Sequence, residues 1–133
     1  MGTVMSLETK VVGLADLADL IANELAYFDS DEQRVAFSSF QIQPLQVTQT
    51  WQYSDETHIC FVIARSKDLQ IVYCPTGFGP SFPWSVQRLG TMDLGMDGEW
   101  QAYLYESFVG SRLWQGPTPA DFMLMGPGER AKT

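Results

Sequence analysis

The segment Thr57–Cys74, THICFVIARSKDLQIVYC, constrains this chain more than any other. Ile59, Phe61 and Ile63 alternate with Cys60, Val62 and Ala64, and Leu69, Ile71 and Tyr73 alternate with Gln70, Val72 and Cys74. Such β-branched and aromatic runs, interrupted by the polar Ser66-Lys67-Asp68, predict two strands joined as a hairpin. A three-residue loop sets Arg65 opposite Leu69, Ile63 opposite Ile71, Val62 opposite Val72, Phe61 opposite Tyr73 and Cys60 opposite Cys74. Both faces of the hairpin are apolar. A strand apolar on both faces is covered on both, so the pair belongs in the middle of a sheet.

The flanking residues extend that sheet. Phe37–Gln43 alternates and predicts a first strand; beyond Pro44 the apolar positions change parity, as a bulge or tight turn requires. Leu45–Tyr53 predicts the next strand, with Val47 and Trp51 on the face of Cys60 and Val62, and Gln49 as the one polar intruder. Ser85–Leu89 reads as a short strand. The chain thus predicts an α+β domain with an antiparallel meander of about 4–6 strands.

Two helices are expected. Leu14, Leu17, Ile21, Leu25 and Phe28 form one stripe of an N-terminal helix over about 9–28. Ala15, Ala18, Ala22 and Ala26 run beside it, small enough for close approach to a sheet, and Asp29-Ser30-Asp31-Glu32 ends it. Gln101–Trp114 predicts a second helix, with Leu104, Phe108 and Ser111 on one stripe and Tyr105, Val109 and Leu113 on the next; a strand is the alternative, because Gly110 and the many aromatics weaken the helical pattern. Residues 1–6 are expected to be loose and 115–133 to form a Gly/Pro-rich tail, with Phe122–Met125 as an apolar island. Residues 1–133 read as one domain.

Composition excludes several classes of function. Sixteen acidic against eight basic residues give a net charge of −8 and leave no basic stripe for nucleic acid. Seventeen aromatics and 45% hydrophobic residues indicate a packed core, not disorder. No apolar run approaches the roughly eighteen residues of a membrane span, and the N-terminus lacks the pattern of a secretion signal. A cytoplasmic protein with Cys60 and Cys74 as reduced core thiols is the expectation.

Chemistry-bearing motifs are scarce. His58 is the only histidine and Cys60 and Cys74 the only thiols, too few for a structural zinc site. His58 opens a strand, and no serine occupies a G-x-S-x-G turn. TGFG at 76–79 lacks the third glycine or Gly-Lys-Ser/Thr of a phosphate loop. GTMDLGMDGEW lacks the alternating oxygen ligands of a calcium loop. It predicts a turn leading into a helix N-terminus. Carboxylate pairs such as Glu99 with Glu106, or Asp93 with Asp97, carry no signal among sixteen acids. No cofactor or metal is expected, and a non-enzymatic protein is the favoured reading over a small enzyme.

The remaining feature is a concentration of aromatic residues after Tyr73. Phe78 and Phe82 sit in a Pro/Gly loop, PTGFGPSFPW, that ends on Trp84; Trp100 and Tyr103 follow. These five are the candidate binding residues, because loops carry function and Trp and Tyr dominate recognition surfaces. The leading expectation is a small acidic module that recognises a protein partner, as an adaptor, inhibitor or immunity-type protein does. The alternative is an apolar or aromatic small-molecule ligand between the sheet and the 75–100 loops, lined by Trp84, Trp100 and Tyr103. Both a monomer and a homodimer fit, the latter through the face carrying Cys60, Val62, Ala64 and Val72 with Trp51.

Overall fold

A computed structural model describes residues 16–78 and 80–117. Helix α1 covers 16–26 within them, followed by α2 (Asp31–Ser38). Strands β1 (Gln41–Trp51), β2 (Glu56–Arg65), β3 (Leu69–Tyr73), β4 (Trp84–Arg88) and β5 (Trp100–Gln101) follow, and α3 (Leu104–Val109) comes last. The strands form one antiparallel sheet in the order β1-β2-β3-β4-β5, an uninterrupted meander with helices, the α+β arrangement expected. The expectations for residues 1–15 and for the tail beyond 117 lie outside the described residues.

The central hairpin keeps part of its expected register. Phe61 faces Tyr73 and Val62 faces Val72, but Ala64 faces Ile71 and Arg65 faces Gln70, with a shift after Val62. A bulge explains it: Ile63 and Ala64 both join the same core cluster, which strict alternation forbids. Ser66 shapes the tip, its hydroxyl accepting from the backbone N–H of Asp68 and Leu69. The parity change at Pro44 also proves to be a register shift, between Gln41 and Leu45 of one continuous strand.

Four expectations are corrected. Phe37 and Ser38 belong to α2, not to a strand. Ser30-Asp31-Glu32-Gln33 starts a helix instead of merely ending one: the Ser30 hydroxyl accepts from Gln33 N, while Gln33 Oε1 accepts from Asp29 N, close to a capping box. Arg34 joins the two helices by donating to the carbonyls of Leu25 and Phe28 at the end of α1. The alanines 18, 22 and 26 face solvent; Leu20 and Glu24 occupy the flank of the stripe instead. The second helix is confined to 104–109, because the indole of Trp100 is buried on one face of the sheet and Leu104 on the other. The chain must cross between faces in extended form before it can coil.

All three helices lie on one face. Leu17, Ile21, Phe28, Phe37, Phe61, Ile63, Ile71, Trp84, Leu104 and Phe108 form its core. Phe28 stacks on Phe108 at 5.8 Å and Phe37 meets Phe108 edge-on at 5.6 Å, so a ring just past α1 interlocks with rings of α2 and α3. The opposite face holds Cys60, Val62, Val72, Cys74, Leu94 and Trp100. No helix covers it. The chain does so with the loops after β3 and β4.

The sheet curls around this second face. Gln49 on β1 donates to Gln87 on β4 at 2.7 Å although two strands lie between them, a span of about 14 Å in a flat sheet. Thr50 also pairs with the segment after β4: its N–H donates to Met92 O, and Leu94 N–H donates to Thr50 O. That crossing loop turns at Gly95, whose φ of +78° favours glycine. The face expected to offer a dimer surface is therefore filled by the chain's own loops, and Cys60, Val62, Ala64 and Val72 are all buried.

Candidate functional site

The five candidate residues separate into two groups. Trp84 is buried under the helices, 4.8 Å from the ring of Tyr73. Trp100 is buried on the opposite face, where its indole N–H donates to Leu94 O at 2.8 Å. Ser85, next to Trp84, is the partner of Trp100 in the β4–β5 ladder, and successive strand residues point to opposite faces. Trp84 and Trp100 therefore share no pocket. Phe78 is half-buried between Trp51 and Trp100, at 6.0 and 6.1 Å. These three rings fill the interior.

Phe82 and Tyr103 are different. They are 48% and 51% exposed, and each lies two residues beyond the Trp84–Gln101 pair, so both leave the ladder at the same end. Tyr27, at the end of α1 and 67% exposed, brings its ring 6.1 Å from that of Tyr103. Tyr27 is not among the candidates the sequence offers, because the Leu17–Phe28 stripe marks its helix as core-covering. An aromatic one position off that stripe, at a helix end, is the signal that marks it.

Beneath these rings lies a buried carboxyl. Glu24 Oε1 accepts the Leu104 backbone N–H at 2.9 Å, satisfying the otherwise buried first donor of α3. Burial pushes the Glu24 carboxyl above its ordinary range; the Leu104 hydrogen bond opposes this, and the charge of Glu106 adds to it. Glu106 Oε1 accepts from Tyr103 N, so two acids organise the entry to α3. Tyr73's phenol is pushed up by burial, then by the nearby charges of Cys74 and Glu24.

A second cluster lies under the loop after β3. Cys60 and Cys74 are free thiols with no exposed surface. Cys74 Sγ is 3.9 Å from Thr76 Oγ1, which is 2.8 Å from His58 Nδ1, while His58 Nε2 is 3.2 Å from Glu56 Oε1. A Cβ on Gly77 would sit 3.2 Å from Cys74 Sγ, so the loop lies directly on the sulfur. Cys74 is held below the ordinary thiol range, first by the Cys60 thiol as donor, with burial opposing and with Thr76 and Gly77 assisting. Cys60 is pushed up by the same contact and by burial.

No family model, curated protein or solved structure matches this chain. Its own geometry must carry the functional reading. Among the described residues no group of three or more His, Cys, Asp or Glu is placed to hold a metal ion. None of their helices is long and apolar enough to cross a membrane.

Proposed function

We propose that this chain is a non-enzymatic recognition module whose exposed aromatic end, Tyr27, Phe82 and Tyr103, docks a protein partner. The observation that carries the reading is the exposure of three large rings at one end of the sheet, where the other candidate aromatics are packed inside. Grouped rings of this kind supply most of the energy at protein interfaces. Glu106 and Asp29 lie within three residues of these tyrosines, and the net charge is −8, so a partner with an apolar knob and basic surroundings fits. The free thiols accord with a reducing compartment, the cytoplasm.

Affinity capture with the wild-type chain and two double variants tests this reading. Phe82→Ala/Tyr103→Ala strips the proposed surface, while Leu89→Ala/Met92→Ala removes exposed apolar side chains at 43% and 63% exposure elsewhere. A protein retained by wild type and by the second variant, but lost by the first at unchanged melting temperature, is the expected result. Equal retention by both variants overturns the assignment.

A further inference from the structure

The loop-covered face carries a group that partner docking does not use. The Cys74 N–H donates to Pro83 O on the β4 side at 2.8 Å. A residue in an antiparallel strand directs its N–H and C=O to the same side, so Cys74 makes no ladder bond toward β2. One step beyond the Phe61–Tyr73 pair, it stands opposite Cys60 in a non-hydrogen-bonded position. At such positions Cα atoms approach to about 4.5 Å and side chains are closest. Disulfides span Cα separations of about 4.4–6.8 Å. The backbone is thus already set for a bond between the two sulfurs.

The side chains beside Cys74 supply a proton path. In one assignment of donors, Cys74 S–H donates to Thr76 Oγ1, Thr76 O–H donates to His58 Nδ1, and His58 Nε2–H donates to Glu56. In the other, His58 carries both protons and donates to Glu56 and Thr76, and the Thr76 hydroxyl donates to a Cys74 thiolate. The two assignments differ by one proton moved from sulfur to imidazole, and both leave every group in the chain partnered. The Thr76 and Gly77 backbone also favours the anion. Thr76 is exposed and His58 half-buried, so the path runs from the sulfur to solvent through one loop.

We propose that Cys60 and Cys74 are an oxidisable dithiol, in which Cys74 attacks a hydroperoxide and Cys60 resolves the product to an intramolecular disulfide. The Cys74 thiolate attacks one peroxide oxygen and the O–O bond breaks. The departing oxygen takes the proton held on His58, passed through Thr76, and leaves as water or an alcohol. Cys74 is then a sulfenic acid. The Cys60 sulfur attacks Cys74 Sγ, the S–O bond breaks, and the hydroxyl leaves as water with the Cys60 proton. The two thiols together lose two protons and two electrons, and the hydroperoxide accepts them. Both sulfurs are buried, so Thr76 and Gly77, which lie against Cys74, must move aside for the peroxide to reach it.

The full chain treated with hydrogen peroxide tests this. Intact mass should fall by two hydrogens, both thiols should disappear together, and a peptide map should join residues 60 and 74; dithiothreitol should restore the starting mass. Cys60→Ser should stop at the sulfenic acid, trapped by dimedone on Cys74. In that background Thr76→Val should slow trapping at neutral pH about a hundredfold, as loss of proton transfer predicts. It should also move the pH profile of trapping upward, a shift that a packing defect alone does not give; Tyr73, Cys60, His58 and Glu56 are the titratable groups facing this sulfur. A folded wild-type protein that keeps both thiols, or that forms only intermolecular disulfides, overturns the proposal. Dimedone found on no residue of Cys60→Ser overturns the role of Cys74.

Discussion

The helix-covered face of the sheet and the loop-covered face are both buried, yet they are closed by different physics. Under the helices, Phe28, Phe37 and Phe108 interlock and almost every buried side chain is apolar. Under the loops, three glutamines meet. Gln49 Nε2 donates to Gln87 Oε1 and Thr91 O, Gln87 Nε2 donates to Gln49 Oε1, and Gln70 Nε2 donates to Gln87 Oε1. Gly90 N–H in turn donates to Gln70 Oε1. A helix brings its own backbone hydrogen bonds, so apolar side chains suffice to dock it. A loop brings unpaired backbone groups that something beneath must satisfy. The glutamines do this for the loop after β4, and Thr76, His58 and the thiols form the polar part of the other loop's seat.

Large-to-small substitution separates the two faces most strongly. Phe108→Ala should cost about 3–5 kcal/mol, because Phe28, Phe37, Phe40 and Trp114 lose their common ring neighbour. Leu94→Ala, on the crossing loop, should fall near the lower end of its class, about 2 kcal/mol, since a loop can settle into the space. Urea unfolding of both variants measures the difference. A Leu94→Ala cost equal to that of Phe108→Ala breaks the contrast.

The glutamine cluster gives the next effect. Gln49→Leu should destabilise by about 1–3 kcal/mol, because Gln87 and the Thr91 carbonyl lose their partner in a buried site. A more stable variant in the same unfolding assay would mean that the second face needs no polar support.

Glu24 sharpens the comparison from the helix side, where it is the buried acid. Its folded carboxyl holds a proton more tightly than the unfolded one, so the native state binds more protons between the two pKa values. Stability therefore falls as pH rises from the ordinary carboxyl value through the raised one. Glu24→Gln keeps the acceptor for Leu104 N–H and removes this loss. Its melting temperature should change less across that window than the wild type's, and should be no lower at neutral pH. A variant that follows the wild-type pH curve contradicts this role for Glu24.

At the exposed aromatic end the expected effect on stability is smallest. Tyr27→Ser should shift stability by no more than about 0.5 kcal/mol, as substitutions at exposed positions do. A larger loss by thermal unfolding would make the ring part of the core and not of the docking surface.

Much of the sheet was legible in the chain. Alternation located β2, β3 and β4, the parity change at Pro44 located the register shift, and the leucine stripe located α1. The start of α2 was also written locally, in Ser30 and Gln33, but the same acidic cluster fits a helix stop equally well. Of the binding candidates, Phe82 and Tyr103 are exposed, while Trp84, Trp100 and Phe78 are not. Residue type says that a ring is large and apolar; it does not say which side of a curled sheet the ring meets.

The sequence by itself determined the antiparallel α+β class, the two-sided apolar hairpin and the acidic surface, because periodicity and charge act between near neighbours and along the whole chain. Only the tertiary structure decided that loops close one face, that Gln49 meets Gln87, that Tyr27 meets Tyr103, and that Glu56, His58 and Thr76 lead to Cys74. Each of the contacts made across loops or strands depends on how far the sheet curls and where a loop crosses it. Those are sums over many long-range interactions, and no single stretch of residues encodes them.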